Sequence, residues 1–455
     1  MQRPKETGTA QEAGKTMQTK LDLISDMVKG DRGSRISNVA YLLNEENLGE
    51  CFRLLEKGKA AGVDGITLEA YGADLRKNLR GLVERMRNQS YRPQPVRRAY
   101  IPKADGRMRP LGIPAIEDKV VQKGMARILE AVYEPEFLDC SYGFRAKRDC
   151  HQALDRLDKI IMAKPIGHII DADIKGFFDH VDHVWMMKFL GHRISDPNFL
   201  RLAGRFLRNG YMEEGREHAV GEGTPQGGII SPVLANVYLH YVLDLWVEKV
   251  VRPHCRGAVE MVRYADDFVI CVQYGDDAER ILGSLRERLG KFGLELAEDK
   301  TRLIKFGRNA GRDAEARGEK PASFNFLGFT HYADKTRTGK FKLGRLTDRK
   351  RMAVKLKELN GWLRSMRNMM PIKDLWALLK AKMTGHVRYY GVSGNYRGVS
   401  RFLNEAKRLV KKWLNRRSQK RSFDCESFIL YIRRHPLPKP RICHDFYSLK
   451  PCLRT

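Results

Sequence analysis

Apolar residues recur along this chain in two rhythms, and the shift between them outlines the fold. Nearly continuous apolar runs bounded by turn residues occur over 166–174, 259–262 and 268–272, the pattern of buried strands. Segments 99–103 and 108–114 are joined by Ala104-Asp105-Gly106, an Asp-Gly turn that predicts a hairpin. Helical periodicity predicts helices over 47–57 (ended by Gly58), 68–87, 116 to about 132, and 278–292, with short strands continuing to about Phe341. Beyond that point Met352, Leu356, Leu359 and Leu363, and then Leu403, Val410, Trp413 and Leu414, recur at helical spacing with Lys and Arg on the opposite faces. The alternation predicts an α+β core on an antiparallel sheet over 36–341, followed by an all-helical basic region over 342–455. Residues 1–35 are polar with little periodicity and are expected to form a flexible arm.

Composition adds a partner. With 455 residues, 42% of them hydrophobic, the chain can build two or three domains with real cores, and its formal net charge of +29 implies a polyanion. The excess is concentrated: residues 345–455 carry 28 Lys and Arg against 7 Asp and Glu, whereas the preceding 344 carry 56 against 48. That is more than solubility requires, and it marks the C-terminal quarter as the electrostatic footprint. Lys407, Arg408, Lys411 and Lys412 are its candidate contacts to that polyanion. The eight cysteines contain no C-x-x-C pair and are expected to be reduced thiols. Cys425, His435, Cys443, His444 and Cys452 follow no standard zinc spacing. The polar N-terminus lacks a signal-peptide core and no run reaches the length of a membrane span, so a soluble cytoplasmic protein without membrane association is expected.

Candidate chemistry sits at Asp266-Asp267, between two strand-like runs. Adjacent like charges ~4 Å apart repel by roughly 4 kcal/mol at an effective dielectric of 20, so the pair needs a cation or must give up a charge. An isolated Asp-Asp in a turn is ordinary turn chemistry. Here a third carboxylate, Asp173, ends another buried-strand pattern far upstream. Three aspartates from neighbouring strands can hold two divalent ions ~3.5–4 Å apart, the clamp used in phosphoryl transfer. Magnesium, an oxygen-liganded ion that completes its shell with substrate phosphates, suits them, and Mn²⁺ can stand in.

The ordered blocks Lys103…Arg109, Asp173-Ile-Lys-Gly-Phe-Phe-Asp179, Gly223-Thr-Pro-Gln-Gly-Gly-Ile-Ile-Ser-Pro232, Tyr264-Ala-Asp-Asp267 and Phe326-Leu-Gly-Phe329 resemble those of a reverse transcriptase. More narrowly, they resemble the bacterial group II intron-encoded reverse transcriptase/maturase, over nearly everything from about residue 40 onward. The resemblance implies a right-hand polymerase, with fingers and palm over 36–341 and a helical thumb and maturase region over 342–455. It implies that Asp173, Asp266 and Asp267 hold the metals, and that Lys103, Arg109, Gln226 and Lys300 contact the incoming dNTP. Phe178 is implied as the ring that excludes a 2′-hydroxyl, with Phe177 in the core and Asp179 as N-cap of the helix carrying Trp185. The Phe326–Phe329 turn matches the hairpin that steadies the primer end, and the loop Gly62-Val63-Asp64-Gly65 resembles an N-terminal extension that clamps template and primer. The implied partners are an RNA template with a DNA primer, dNTPs and a group II intron RNA in a bacterial, nucleoid- or RNA-associated setting; the oligomeric state stays open. A Cys/His-rich nuclease domain is absent from the sequence, so cleavage of a DNA target in cis is not expected. Two alternatives keep parts of this reading: a domesticated relative serving phage defence or DNA repair, and a non-catalytic RNA-binding splicing cofactor.

Overall fold

Both faces of the central sheet are covered, which is why its middle strand runs are apolar, above all Phe268 to Val272. In this computed structural model, which describes residues 16–31, 33–102, 108–213, 215–218, 221–224, 227–417 and 423–447, the sheet has the order β6 (Val259–Tyr264), β7 (Asp267–Val272), β3 (His168–Asp173), β8 (Arg302–Lys305). Every neighbouring pair is antiparallel. Ile170, Ala172, Phe268 and Ile270 point into one core, and Ile169, Val269, Cys271 and Ile304 into the other, as a period of two requires. Helices Ile116–Tyr133, Ser231–Leu239 and Gly275–Lys291 fill the first core. Helix Cys150–Ala163 and the C-terminal helices fill the second.

Two smaller sheets flank this centre. The hairpin β1 (Val96–Pro102) and β2 (Met108–Ile113) is extended by β4 (Tyr211–Glu213), parallel to β1, and β5 (Arg216–His218). Strands β9 (Ser323–Phe326), β10 (Phe329–Lys335) and β11 (Phe341–Thr347) form an antiparallel sheet. The β9–β10 turn is Leu327-Gly328, with φ of +50° and +80°, the doubly positive turn whose twist matches a tight hairpin. The chain then runs through helices Arg349–Met366, Ile372–Tyr390, Tyr396–Leu414 and Cys425–Arg434. The third buries Val399, Phe402, Leu403, Ala406, Val410 and Trp413 against the two before it. Mixed helices and antiparallel sheets make this an α+β fold. No helix among the described residues is long and apolar enough to cross a membrane.

Three expectations are corrected. The strands do not end near Phe341: β11 runs to Thr347, so the helical region expected from residue 342 begins at Arg349. The flexible arm to residue 35 does not hold for Met17–Gly30, a helix whose Met17, Leu21, Ile24 and Val28 are buried against helix Ile116–Tyr133. Burying each such side chain contributes roughly 1.5–3 kcal/mol, enough to anchor a segment whose other face is polar. The single helix expected over 68–87 is two, Leu68–Ala73 and Leu75–Arg87, interrupted at Asp74. Asn78 Nδ2 donates to the Tyr71 carbonyl at 2.9 Å and satisfies one of the orphan groups of the first helix end.

Candidate active site

Asp173 and Asp267 are direct partners across the β3–β7 ladder, and alternation puts both, with Asp171, on the face that carries Ile169 and Val269. Tyr264 pairs with Asp267, so Ala265 and Asp266 form a two-residue hairpin turn. Ala265 has φ +58°, a left-handed conformation that costs a residue with a Cβ roughly 1–2 kcal/mol. Three contacts hold it there. Arg263 Nη1 donates to the Ala265 carbonyl at 3.0 Å. Gly143 packs so tightly on the turn that a Cβ at that position would lie 2.4 Å from the Ala265 nitrogen, and Asn236 Nδ2 fixes the Gly143 carbonyl at 2.8 Å.

Arg263 is fully buried, and its remaining donors are all used. They reach both carboxylate oxygens of Asp244, the Oδ1 of Asn236 at 3.1 Å and the Oγ of Ser141 at 2.8 Å. Asp244 closes a π-helical turn, His240–Asp244, after helix Ser231–Leu239. Such turns are rare and concentrate at functional sites. Sequence reasoning missed this network. Its one signal was a charged residue, Arg263, in a strand run whose only other charge is Glu260.

The carboxylates crowd one another. Burial, with Asp171, Asp266 and Asp173 close by, pushes Asp267 up to about 7. Asp266 is also raised, chiefly by burial, and is opposed by its own backbone and by Arg109 and Arg263. Arg351, in the first turn of helix Arg349–Met366, acts on Asp267 in the stabilising direction, a contribution no local motif announces. Lys300 Nζ bonds Asp173 Oδ2, and Arg302 pairs with Asp171 at 2.8 Å. Among the described residues no three ligand-type side chains already stand at coordinating separations. The donor set nevertheless fits a hard divalent cation: it consists of carboxylate oxygens, and their mutual repulsion at Asp267 is a charge excess that such an ion removes.

The other predicted residues fall into place unevenly. Phe178 is half-buried, edge-on to the buried Phe177 with ring centroids 5.2 Å apart, and its carbonyl accepts from the Thr224 nitrogen at 2.7 Å. The glycine-rich loop comes close on both sides. A Cβ on Gly223 would lie 2.8 Å from the Asp179 carbonyl oxygen, and one on Gly227 would lie 2.5 Å from that of Gly112 in β2. Lys103 and Gln226 lie outside the described residues. Asp179 is not the N-cap expected of it. It sits in a 3₁₀ turn, and the chain needs three more residues before helix His183–Arg193 starts, so Asp182 caps that helix by accepting from the Trp185 nitrogen at 2.8 Å. The Gly62–Gly65 loop packs against the start of helix Ile116–Tyr133, where a Cβ on Gly62 would lie 2.5 Å from the Ala115 Cα. Of the four basic candidates on helix Tyr396–Leu414, Arg408 and Lys412 are exposed and Lys407 and Lys411 half-buried. Arg408 pairs with Glu405 and Lys411 contacts Cys425 Sγ.

Residues 101–331 match the family model described as reverse transcriptase (RNA-dependent DNA polymerase). The group II intron-encoded protein LtrA of Lactococcus lactis subsp. cremoris is 39% identical over 210 residues, which are 45% of this chain and 35% of that protein. Protein YkfC of Escherichia coli (strain K12) is 35% identical over 310 residues, 60% of this chain and 81% of that protein. The putative COX1/OXI3 intron 1 protein of Saccharomyces cerevisiae is 32% identical over 197 residues, 43% of this chain and 23% of that protein. This chain therefore matches about a third of the length of LtrA and most of YkfC. With a family match across half its residues, reaching from β1 through the aspartate-bearing sheet and into β10, this chain belongs to the reverse transcriptase (RNA-dependent DNA polymerase) family.

Proposed function

We propose that this protein is an RNA-directed DNA polymerase that extends a primer with dNTPs on an RNA template, and that it binds a group II intron RNA to assist its splicing and mobility. The observation that carries the reading is the cross-strand pair Asp173–Asp267 beside Asp266, in a turn that a buried arginine holds in a left-handed conformation. On this reading the β1–β2 hairpin belongs to the fingers, the central sheet is the palm, and the helices from Arg349 onward form the thumb and intron-binding region. Asp173, Asp266 and Asp267 would hold two magnesium ions, which would supply charge neutralisation for phosphoryl transfer. Arg109, with Lys103 and Gln226, grips the incoming nucleotide, and Lys300, already beside Asp173, meets its triphosphate. The primer 3′-oxygen attacks the α-phosphorus, the bond to the β-phosphate oxygen breaks, and pyrophosphate leaves. The protein's contribution is positioning and preorganised charge.

The intron role draws on two relatives, LtrA and the yeast protein, whose names mark them as intron-encoded or intron proteins, and on the basic C-terminal quarter. Purified protein is expected to elongate a DNA primer on RNA with dNTPs, and no dNTP-dependent elongation ends the polymerase reading. Splicing of the RNA surrounding its gene at low magnesium tests the second half. Neutralising Lys407, Arg408, Lys411 and Lys412 together should abolish splicing assistance. It should also flatten the slope of log K against log salt, by up to ~0.7–0.9 for each phosphate the helix no longer neutralises; an unchanged slope removes this helix from the RNA interface.

Phe178 is the proposed sugar gate. Phe178→Val is expected to raise ribonucleotide incorporation relative to dNTPs by roughly tenfold or more, the scale of a steric change in a tight pocket. A ratio of kcat/KM values equal to that of the wild type would take the gate away from this ring.

A further inference from the structure

Behind the β9–β10 turn, a cavity of about 430 Å³ opens between Gly328 and the helices Arg349–Met366, Ile372–Tyr390 and Tyr396–Leu414. It falls within the size range of small-ligand sites. Its walls combine two kinds of group. Trp362, Tyr389 and His386 bring rings to it, the last stacked on Phe402 with centroids 3.4 Å apart and planes 11° from parallel. Arg351, Lys355 and Lys382 bring three cations against one carboxylate, Glu358, which is paired with Lys355 at 2.8 Å.

His386 forms part of the cavity wall: it is only 8% exposed, its ring is packed on Phe402, and its Nε2 is closed off from solvent. Burial and the nearby Lys355 bring its pKa down to about 3, so the ring is neutral and adds no fourth charge. The cavity is open beside it: a Cβ on the preceding Gly385 would meet nothing within 4 Å.

We propose that this cavity binds one unpaired nucleotide, its base against the rings of Trp362 and Tyr389 and its phosphate on Arg351, Lys355 and Lys382. Rings beside a local cation excess are the combination that holds single nucleotides without sequence preference. Gly328, in the β9–β10 turn, lines the cavity, and β9 packs against β7, the strand that carries Asp267, so a strand seated at the aspartates passes beside this site. Nucleotide binding itself does not depend on the polymerase reading; only a strand origin for that nucleotide rests on it.

The test uses the full chain in EDTA, with adenosine 5′-monophosphate as probe and saturation-transfer NMR with titration as readout. Gly385→Leu fills the cavity, and Gly283→Leu on helix Gly275–Lys291, where a Cβ also meets nothing within 4 Å, is the matched control. Wild type and the control are expected to bind the probe alike, and Gly385→Leu to bind it about tenfold more weakly or worse, the effect expected when one base-stacking interaction is removed. Should Gly385→Leu misfold, the exposed Lys382→Ala is expected to weaken binding several-fold and to lower its salt dependence. Equal binding by wild type and a folded Gly385→Leu, or no binding by wild type, overturns the site. A second arm compares an RNA–DNA duplex carrying one bulged adenosine with its fully paired counterpart. Tighter binding of the bulged duplex, erased by Gly385→Leu, assigns the site to a strand nucleotide; equal affinities alongside probe binding assign it to a free nucleotide.

Discussion

Asp266→Ala is expected to reduce single-turnover primer extension by at least ~10²–10³, the cost of deleting one preorganised electrostatic group, while leaving intron RNA binding and splicing assistance in place. The expectation follows from geometry rather than from stability. Asp266 lies in the turn, outside the β6–β7 ladder, and it is raised by burial and by Asp173, so its removal relieves repulsion in the fold and removes a ligand from the reaction. Extension rates at saturating dNTP and splicing of the surrounding RNA, measured side by side, separate the two activities. A wild-type extension rate in Asp266→Ala would end the metal assignment, and equal loss of both activities would show that the variant had damaged the fold.

The second large effect is expected at Arg263, which is fully buried and spends its donors on protein groups. Arg263→Met leaves the Asp244 carboxylate buried without its partner, which should cost about 3–5 kcal/mol of stability and shift the urea midpoint of the catalytic region accordingly. Arg263→Met combined with Asp244→Leu removes both charges and should recover most of that loss, because an apolar pair of similar volume in place of a buried ion pair is often neutral or better. Extension activity should not recover with it. The Ala265 carbonyl loses the donor that holds it at 3.0 Å, and a turn residue with a Cβ then has less to keep it at φ +58°. A double variant with wild-type activity would show that Arg263 is only a core residue, and an unchanged urea midpoint in the single variant would contradict the buried pair itself.

The sheet and its carboxylates were legible because each is a local statement. Apolar runs of strand length, Ala265-Asp266 at a turn and Asp173 at the end of another run are short-range patterns, and the alternation of side chains along paired strands does the rest. The helical tail was legible for the same reason: Leu403, Val410 and Trp413 repeat at a period that needs no partner to be read. The helix Met17–Gly30 was not, because a stripe of four apolar residues in a polar segment counts only once helix Ile116–Tyr133 is known to receive it. The cap of the helix after Phe178 was expected at Asp179 and is Asp182, because two aspartates three residues apart offer the same chemistry and only the intervening 3₁₀ turn chooses between them.

By itself, then, the sequence determined the α+β alternation, the three aspartates and the basic C-terminal quarter, all of which follow from residue type and short-range period. Only the tertiary structure decided which faces those residues share and what holds them there. Arg263 gathers Ser141 from one segment and Asn236 and Asp244 from another, Arg351 acts on the charge of Asp267 from a helix beyond the β11 strand, and three helices and a turn line the cavity beside His386. The physical reason is the same in each case. A buried charge or an unpartnered polar atom has its energy set by neighbours that folding brings from far along the chain, and no local period records which neighbours those are.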